Sequence, residues 1–309
     1  MQEGSPAGER VGRLMAERSA CGTAPGAAGR LECMRSVLPL VWSGLVCCGV
    51  AAAQTIPDAH EKLIPTLWVQ TSVEWRASAM QAYRAARVSL DQALKDKKWT
   101  AALEQTGAYG KLPPAIILDI DETVLDNSPG QARQVVGKTG FVPADWDTWV
   151  AEAAAGEIPG AAEFCKYAAS KKVTVFYISN REAKSEADTR RNLQKFGFPL
   201  SESVDTVLLR GEKPEWAASE KSPRRKAVAE KYRVLLLVGD DFGDFLTGIR
   251  TTVEKRAEMA AGHAGRWGRE WIMLPNPGYG SWEGALQEPE RPATALEQLW
   301  KRESWLRTK

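Results

Sequence analysis

The chain has 309 residues, of which 26% are charged, and a formal net charge of +2 at pH 7. This length suffices for one substantial core with an accessory layer. The near balance of 41 basic and 39 acidic side chains gives no electrostatic basis for binding a nucleic-acid polymer or an anionic membrane.

An export signal is predicted in residues 34–53. This segment begins Met-Arg-Ser, continues with an apolar run and ends in three alanines, which is the layout of a secretory signal with an Ala-x-Ala cleavage site. The apolar run is shorter than the roughly 20 residues that a membrane-spanning helix needs. We therefore predict cleavage after Ala53, a periplasmic or secreted mature chain without a transmembrane span, and an upstream extension in residues 1–33 before a natural start at Met34.

The cysteines support an exported chain without an internal disulfide. Four of the five precede the predicted cleavage site, so Cys165 alone remains in the mature chain. Cys165 follows Phe164 on a predicted helix, and we interpret it as a small buried hydrophobe. The sequence around Cys47 and Cys48 loosely resembles a lipobox, so an outer-membrane lipoprotein acylated at one of them is the alternative location.

The mature chain is predicted to begin with a helical segment, residues 54–114. Apolar residues recur every three or four positions from about His60 to Leu94, as on one face of a long helix. Glycines and prolines then interrupt the chain before residue 115.

Residues 115–309 are predicted to form an α/β core. Strands alternate with helices, which implies right-handed crossovers and a doubly wound, Rossmann-like parallel sheet. A polar stretch with aromatic anchors follows the first strand, and we predict a small, mostly helical cap at about residues 127–158. The strands are predicted from apolar runs at 115–118, 173–178, 206–209, 234–238 and 271–274.

Polar side chains follow the predicted strands, at the edge of the sheet where ligands bind in parallel folds. Asp119 and Asp121 follow the first strand and point to the same side, because side chains alternate along an extended chain. Two like charges there require a cation or a proton between them. The later strand ends and one loop add Ser179, Asn180, Lys221, Asp240 and Asp244.

In order and chemistry these motifs resemble the haloacid dehalogenase (HAD) superfamily of phosphotransferases, with its DxDxT, Ser or Thr, Lys and GDxxxD motifs. The resemblance narrows to the class C acid phosphatases, bacterial secreted or lipoprotein enzymes, over nearly all of residues 67–282. It implies an exported, Mg²⁺-dependent phosphomonoesterase that acts on small phosphate esters, with 5′-nucleotides among the candidates. A non-catalytic HAD-fold binding or storage protein and a phosphotransferase remain as alternatives.

The resemblance also implies a role for each motif residue. Asp119 is expected to attack phosphorus and carry the phosphoryl group, and Asp121 to act as acid and base while its backbone carbonyl binds the metal. Asp119 and Asp240 are the expected side-chain ligands of Mg²⁺. Ser179 is expected to donate to a phosphoryl oxygen. Lys221 is expected to neutralise the phosphoryl group and Asp119, with Lys213 and Lys226 as alternatives that the surrounding Lys-Ser-Pro-Arg-Arg pattern disfavours.

Residues around this centre are assigned supporting roles. Asp244 is expected to orient the metal site, and Asp241 is an adjacent carboxylate where many relatives have Asn. Arg181 is expected to contact the substrate or to pair with a nearby carboxylate. Relatives commonly carry an aromatic residue where this chain has Gly130, which argues against a tight stacking sandwich. The oligomeric state stays open, with a homodimer as one candidate. Substrate recognition is assigned to Asn180, Arg181, Trp146, Trp149, Tyr279 and Trp282.

Overall fold

A five-stranded parallel sheet forms the centre of the fold, in a computed structural model that describes residues 60–290, 292 and 294–308. The strand order is β5-β4-β1-β6-β7, and β2 and β3 form a separate antiparallel pair. The predicted α/β class with a parallel sheet is therefore confirmed. The strands are β1 (Pro114–Leu118), β2 (Leu125–Asp126), β3 (Gly156–Glu157), β4 (Thr174–Glu182), β5 (Val207–Arg210), β6 (Arg233–Gly239) and β7 (Trp271–Met273).

Helices cover both faces of the sheet, which is why the central parts of its strands are continuous apolar runs. Ile116 and Leu118 pack in one core layer with α2 and α5, whereas Ala115 and Ile117 pack on the opposite face with α7. The helices are α1 (Leu63–Thr71), α2 (Val73–Lys95), α3 (Ser128–Gly137), α4 (Pro143–Glu152), α5 (Ala161–Ser170), α6 (Glu186–Lys195), α7 (Ser222–Ala229), α8 (Val253–Gly262), α9 (Ser281–Ala285) and α10 (Ala295–Glu303).

The prediction of one long helix from about His60 to Leu94 is wrong at Ser72. Ser72 has extended backbone angles, and its hydroxyl accepts a hydrogen bond from the Trp75 N–H at 3.1 Å. It therefore caps the start of α2 and separates it from α1. The segment in which a cap is predicted contains α3 and α4, which lie between β2 and β3.

The strand register places the carboxyl end of β1 between β4 and β6. Leu118 in β1 is paired with Tyr177 in β4 and with Val238 in β6. β1 ends at Leu118, whereas β4 continues to Glu182 and β6 to Gly239, so Asp119 leaves the sheet between these two strands. The Asp119 N–H donates to the Val238 carbonyl at 2.9 Å, which fixes the first predicted catalytic residue against the end of β6.

The predicted export signal, with Cys47 and Cys48, lies outside the described residues. Within the described part, no helix has both the length and the apolar character needed to cross a membrane. Cys165 is buried on α5 as a free thiol, as predicted.

Tyr83 connects α2 to the turn that follows β1. Its side chain is buried, and its hydroxyl donates to the Thr123 carbonyl. The bond joins residues 40 positions apart in sequence, and it gives a backbone oxygen beside the site a partner that water cannot supply.

Replacing Tyr83 by Phe is expected to lower the free energy of unfolding by about 1–3 kcal/mol, because the buried Thr123 carbonyl loses this donor. Urea denaturation measures the change. Tyr167→Phe is the matched control, since the Tyr167 hydroxyl donates to Asp91 at a partly exposed position. Equal losses in the two variants would contradict the expectation.

Candidate active site

Three carboxylates converge where β1 and β6 end. Asp119, Asp240 and Asp244 have carboxylate oxygens that all lie within 4.8 Å of one another. The Lys221 ammonium donates to Asp119 Oδ1 and, at 2.6 Å, to Asp244 Oδ1. One ammonium therefore faces three carboxylates, which leaves the cluster short of positive charge.

The titration of these groups reflects that shortage. Burial raises the pKa of Asp119 to about 7, against the opposing effect of Lys221. Burial also raises the pKa of Asp240 well above its ordinary value, and the carboxylates of Asp119 and Asp244 add to this effect. Burial raises the pKa of Asp244 as well. Hard oxygen donors that are crowded and buried in this way fit a divalent cation.

Asp240 is oriented by two neighbours that the sequence analysis did not single out. The Thr123 hydroxyl donates to Asp240 Oδ1 at 3.0 Å, and the Asn276 amide donates to Asp240 Oδ2 at 2.8 Å. Thr123 is the last residue of the DxDxT motif, so its type and spacing did signal a role. Asn276 stands in a turn between two prolines, and its position beside Asp240 depends on the tertiary fold.

The two acids after Asp240 point in different directions. Asp244 accepts a hydrogen bond from Lys221 and belongs to the cluster of three carboxylates. Asp241 accepts hydrogen bonds from the Gly243 N–H at 2.7 Å and from the Ser281 N–H at 2.6 Å. Its carboxylate thus ties the turn after β6 to the start of α9 and does not join the cluster of three carboxylates.

Asp121 faces the end of β4. Arg181 is buried and donates to Asp121 Oδ1 from Nη2 at 2.8 Å and from Nε at 3.0 Å. The Asn127 amide donates to the same oxygen at 2.9 Å, and the Ser179 hydroxyl donates to Oδ2 at 3.2 Å. Of the two roles considered for Arg181, the structure shows the ion pair with a carboxylate.

Two buried arginines hold α7 against the sheet, and sequence reasoning missed both. Arg224 donates to the Ser179 carbonyl and, at 2.6 Å, to the Asn180 side-chain oxygen. Arg225 donates to the carbonyls of Gly243 at 3.1 Å and Asp244 at 3.0 Å. Because both follow Lys221 by one turn, they hold the start of α7 between the ends of β4 and β6. Their only sequence signal was the run of basic residues around Lys221.

A cavity of about 860 Å³ opens above these groups and is lined by Asp119, Lys221 and the cap. Trp146, Trp149 and Tyr279 contribute to its walls, whereas Trp282 does not: it is 42% exposed and donates to the Tyr279 carbonyl. The Trp149 ring lies against Gly130, where an added Cβ would come within 3.0 Å of it. The missing side chain at position 130 is thus what admits this indole.

Glu122 is a further buried acid that the sequence analysis passed over. It has a left-handed backbone, with φ of 54°, and accepts hydrogen bonds from the Asn127 N–H at 3.0 Å and the Gln131 amide at 3.2 Å. The Tyr279 hydroxyl also donates to it. Burial raises the pKa of Glu122 well above its ordinary value. These bonds stabilise a strained turn between Asp121 and the cap.

A parallel sheet whose strand ends gather paired acids, a serine and a lysine is the arrangement of the HAD superfamily. The family model described as HAD superfamily, subfamily IIIB (acid phosphatase) matches residues 44–282. The chain therefore belongs to this family, and the family predicted from the motifs is confirmed.

Solved structures and curated proteins agree with this assignment. The class C acid phosphatase from Bacillus anthracis is 34% identical, with a TM-score of 0.67 over 80% of this chain and 97% of that one. Its tungstate complex gives a TM-score of 0.68 at 33% identity. Among curated proteins, a stem 28 kDa glycoprotein of Glycine max is 28% identical over 137 residues, 43% of this chain and 53% of its own length.

Acid phosphatase 1 of Solanum lycopersicum is 28% identical over 133 residues, 42% of this chain and 51% of its own. The chain thus spans about half the length of these curated relatives.

Gly239→Ala is expected to disrupt the site, because a Cβ at Gly239 would overlap the Asp244 side chain. We expect a loss of about 1–3 kcal/mol in unfolding free energy, together with displacement of Lys221. Denaturation and metal titration measure the two effects. Gly262→Ala is the control, since a Cβ there meets nothing within 4 Å; a loss of the same size in that variant would refute the expectation.

The pH dependence of metal-free stability follows from Asp240. A carboxyl group whose pKa is raised by folding stabilises the folded state below its ordinary pKa, and this contribution is lost as the pH rises through the folded-state value. Without metal, the protein is expected to lose stability as the pH rises above about 4. Asp240→Asn removes the contribution of Asp240 while Asp119 and Asp244 keep theirs, so at pH 8 the variant should be more stable than the wild type.

Thermal unfolding in EDTA at pH 5 and pH 8 checks this expectation, and the advantage of Asp240→Asn should be larger at pH 8. Asp147→Asn, at an exposed ion pair with Lys184, is the control for loss of one negative charge. A variant equally affected at both pH values would show that Asp240 is not the group responsible.

Proposed function

We propose that the chain is a Mg²⁺-dependent phosphomonoesterase that hydrolyses small organic phosphates through an aspartyl phosphate on Asp119. The observation that carries this proposal is the position of Asp119, which lies at the floor of the cavity beside Lys221 and within reach of Asp240 and Asp244. In these surroundings a carboxylate can attack a phosphoryl group, because Lys221 and a cation held by the neighbouring acids would balance the negative charge of that group.

Asp119 and Asp240 would hold the cation, and Asp244 would keep Lys221 directed at the site. Bound Mg²⁺ supplies the positive charge that lets a carboxylate approach a phosphate dianion. Lys221 contributes a further charge to the same phosphoryl oxygens. The Ser179 hydroxyl, which donates to Asp121 in this structure, would turn to a phosphoryl oxygen when substrate is present.

The reaction then divides into two displacements. In the first, Asp119 forms a bond to phosphorus, the ester P–O bond breaks, and Asp121 gives its proton to the leaving oxygen. In the second, Asp121 takes a proton from water as the water oxygen attacks phosphorus, and Asp119 is released with inorganic phosphate. Both steps need Asp121 in reach of the same face of the phosphoryl group.

The cavity supports small esters as substrates, with 5′-nucleotides among the candidates. Its volume of about 860 Å³ accommodates a group of this size, and Trp146 and Trp149 give one wall an apolar surface. The tungstate complex of the Bacillus anthracis relative supports an oxyanion site, because tungstate is a tetrahedral anion like phosphate.

Export through the signal in residues 34–53 completes the proposal. It is supported by the basic start, the short apolar centre and the alanines before Gln54. Mass spectrometry of the mature N-terminus tests it: a chain that begins at Gln54 indicates a periplasmic or secreted protein, and an acylated Cys47 or Cys48 indicates a lipoprotein.

Asp119→Asn is expected to reduce hydrolysis of 4-nitrophenyl phosphate by at least about a thousandfold, because the amide cannot act as the nucleophile. EDTA should abolish wild-type activity, and Mg²⁺ should restore it. Asp147→Asn, which changes the same charge outside the cavity, should retain activity. Full activity of Asp119→Asn would refute the mechanism, and activity unaffected by EDTA would refute the metal requirement.

A further inference from the structure

The two tryptophans of α4 each contact a polar side chain that holds Asp121. Trp149 Nε1 donates to Asn127 Oδ1 at 2.8 Å, and Asn127 donates to Asp121. The Arg181 guanidinium lies 5.6 Å from the centre of the Trp146 ring and donates to Asp121. The helix that lines the cavity is therefore connected to Asp121 by two separate routes, each through a single side chain.

The amide of Asn127 can face only one way. Its nitrogen lies 2.9 Å from Asp121 Oδ1 and 3.4 Å from Glu122 Oε2, both of which are acceptors. Its oxygen lies 2.8 Å from Trp149 Nε1 and 3.5 Å from Arg181 Nη2, both of which are donors. A flipped amide would place like groups against each other on both sides. The indole N–H thus directs the Asn127 donor at Asp121.

Arg181 is fixed as firmly as Asn127. Its side chain is buried, and Nη1 donates to the Thr189 hydroxyl at 3.2 Å while Nε and Nη2 face Asp121. A guanidinium held on both edges offers its donors in a fixed plane.

These contacts treat the two oxygens of Asp121 differently. Oδ1 receives Asn127 Nδ2, Arg181 Nη2 and Arg181 Nε at 2.8–3.0 Å. Oδ2 has longer contacts only, to the Ser179 hydroxyl at 3.2 Å and to Arg181 Nε at 3.3 Å. When Ser179 turns to a phosphoryl oxygen, Oδ2 loses one of these two donors and remains the less engaged oxygen.

We propose that Asn127 and Arg181 are positioning residues that anchor Asp121 through Oδ1 and so leave Oδ2 to deliver the proton to the leaving group. The inference rests on the proposed function, in which Asp121 is the acid. In this proposal Trp146 and Trp149 have two tasks. They line the space for the leaving group, and they orient Asn127 and Arg181, which in turn position Asp121 to protonate that group.

The consequence is a selective dependence on leaving-group chemistry. An ester whose leaving oxygen is a poor leaving group needs the proton as the P–O bond breaks, whereas a nitrophenolate departs readily without it. Disturbing Asn127 should therefore affect phenyl phosphate much more than 4-nitrophenyl phosphate. Each ester contains one phenyl ring, and the two differ only in the nitro group. Contacts between the ring and the cap therefore largely cancel in the comparison.

The experiment compares kcat/KM for the two esters, because this quantity reports the step that breaks the ester bond. For Asn127→Ala we expect a loss with phenyl phosphate that is about tenfold larger than the loss with 4-nitrophenyl phosphate. Asp121→Ala should show the same preference more strongly. Trp149→Phe, which removes the indole donor to Asn127 together with part of the ring that lines the cavity, should shift the ratio in the same direction by about threefold.

Trp99→Phe is the matched control for the indole change. Trp99 is buried, and its Nε1 donates to the Leu235 carbonyl at 2.8 Å. Leu235 lies inside β6, before the end of the strand that Asp240 follows. It should lower stability and leave the ratio of the two esters unchanged. Because Trp149→Phe leaves the Asn127 side chain in place, it keeps the inference testable even where Asn127→Ala fails to fold.

Equal losses with both esters in Asn127→Ala and Trp149→Phe would overturn the inference, and so would a shifted ratio in Trp99→Phe. The proposed function is tested separately. If Asp119→Asn is inactive and Asp121→Ala loses more activity with phenyl phosphate than with 4-nitrophenyl phosphate, the proposed function stands whatever the Asn127 variants do. An active Asp119→Asn refutes the proposed function directly.

Discussion

The sharing of one buried ammonium between Asp119 and Asp244 is the interaction on which the site depends. Lys221 brings positive charge to the ends of β1 and β6, yet burial raises the pKa of all three carboxyl groups, and repulsion between neighbouring carboxylates adds to this effect. The fold accepts this unfavourable crowding because each acid is held from outside the cluster. The same deficit of positive charge prepares the site for a cation and a phosphoryl group.

Supports for these acids come from every neighbouring segment. Arg224 and Arg225 fix α7, which carries Lys221 at its start. Thr123 and Asn276 orient Asp240. These supports share one property: each is a polar side chain that donates a hydrogen bond to a residue of the site, and such bonds favour one arrangement of it.

The sequence alone predicts the sheet and the residues at its carboxyl edge. At Asp119 and Asp240 a continuous apolar run stops at an acidic residue. The run predicts a buried strand and the acid predicts a site at its end, and both signals lie within a few residues of sequence. The fold class and the family follow from them and are confirmed, while the individual roles stay predictions. The break at Ser72 was missed because the helical period continues across it, although a single extended residue separates α1 from α2.

Contacts between distant segments could not be predicted in this way. Arg181 meets Asp121 across 60 positions, and Tyr279 meets Glu122 across 157, so no spacing rule connects them. The aromatic residues illustrate the same limit, since composition cannot distinguish Trp149, which lines the cavity, from Trp282, which does not. A tryptophan's role depends on which face of its element the tertiary fold covers.

The bond between Tyr279 and Glu122 has a consequence for the order of biosynthesis. Lys221 and the three clustered acids, Asp119 among them, have all been synthesised once residue 244 has left the ribosome, but the side chains of Asn276 and Tyr279, which brace Asp240 and the turn at Glu122, come later. A nascent chain therefore contains the clustered acids before it contains Asn276 and Tyr279, which support Asp240 and Glu122. The contacts that brace Asp240 and Glu122 can form only after β7 and the loop that follows it have been made.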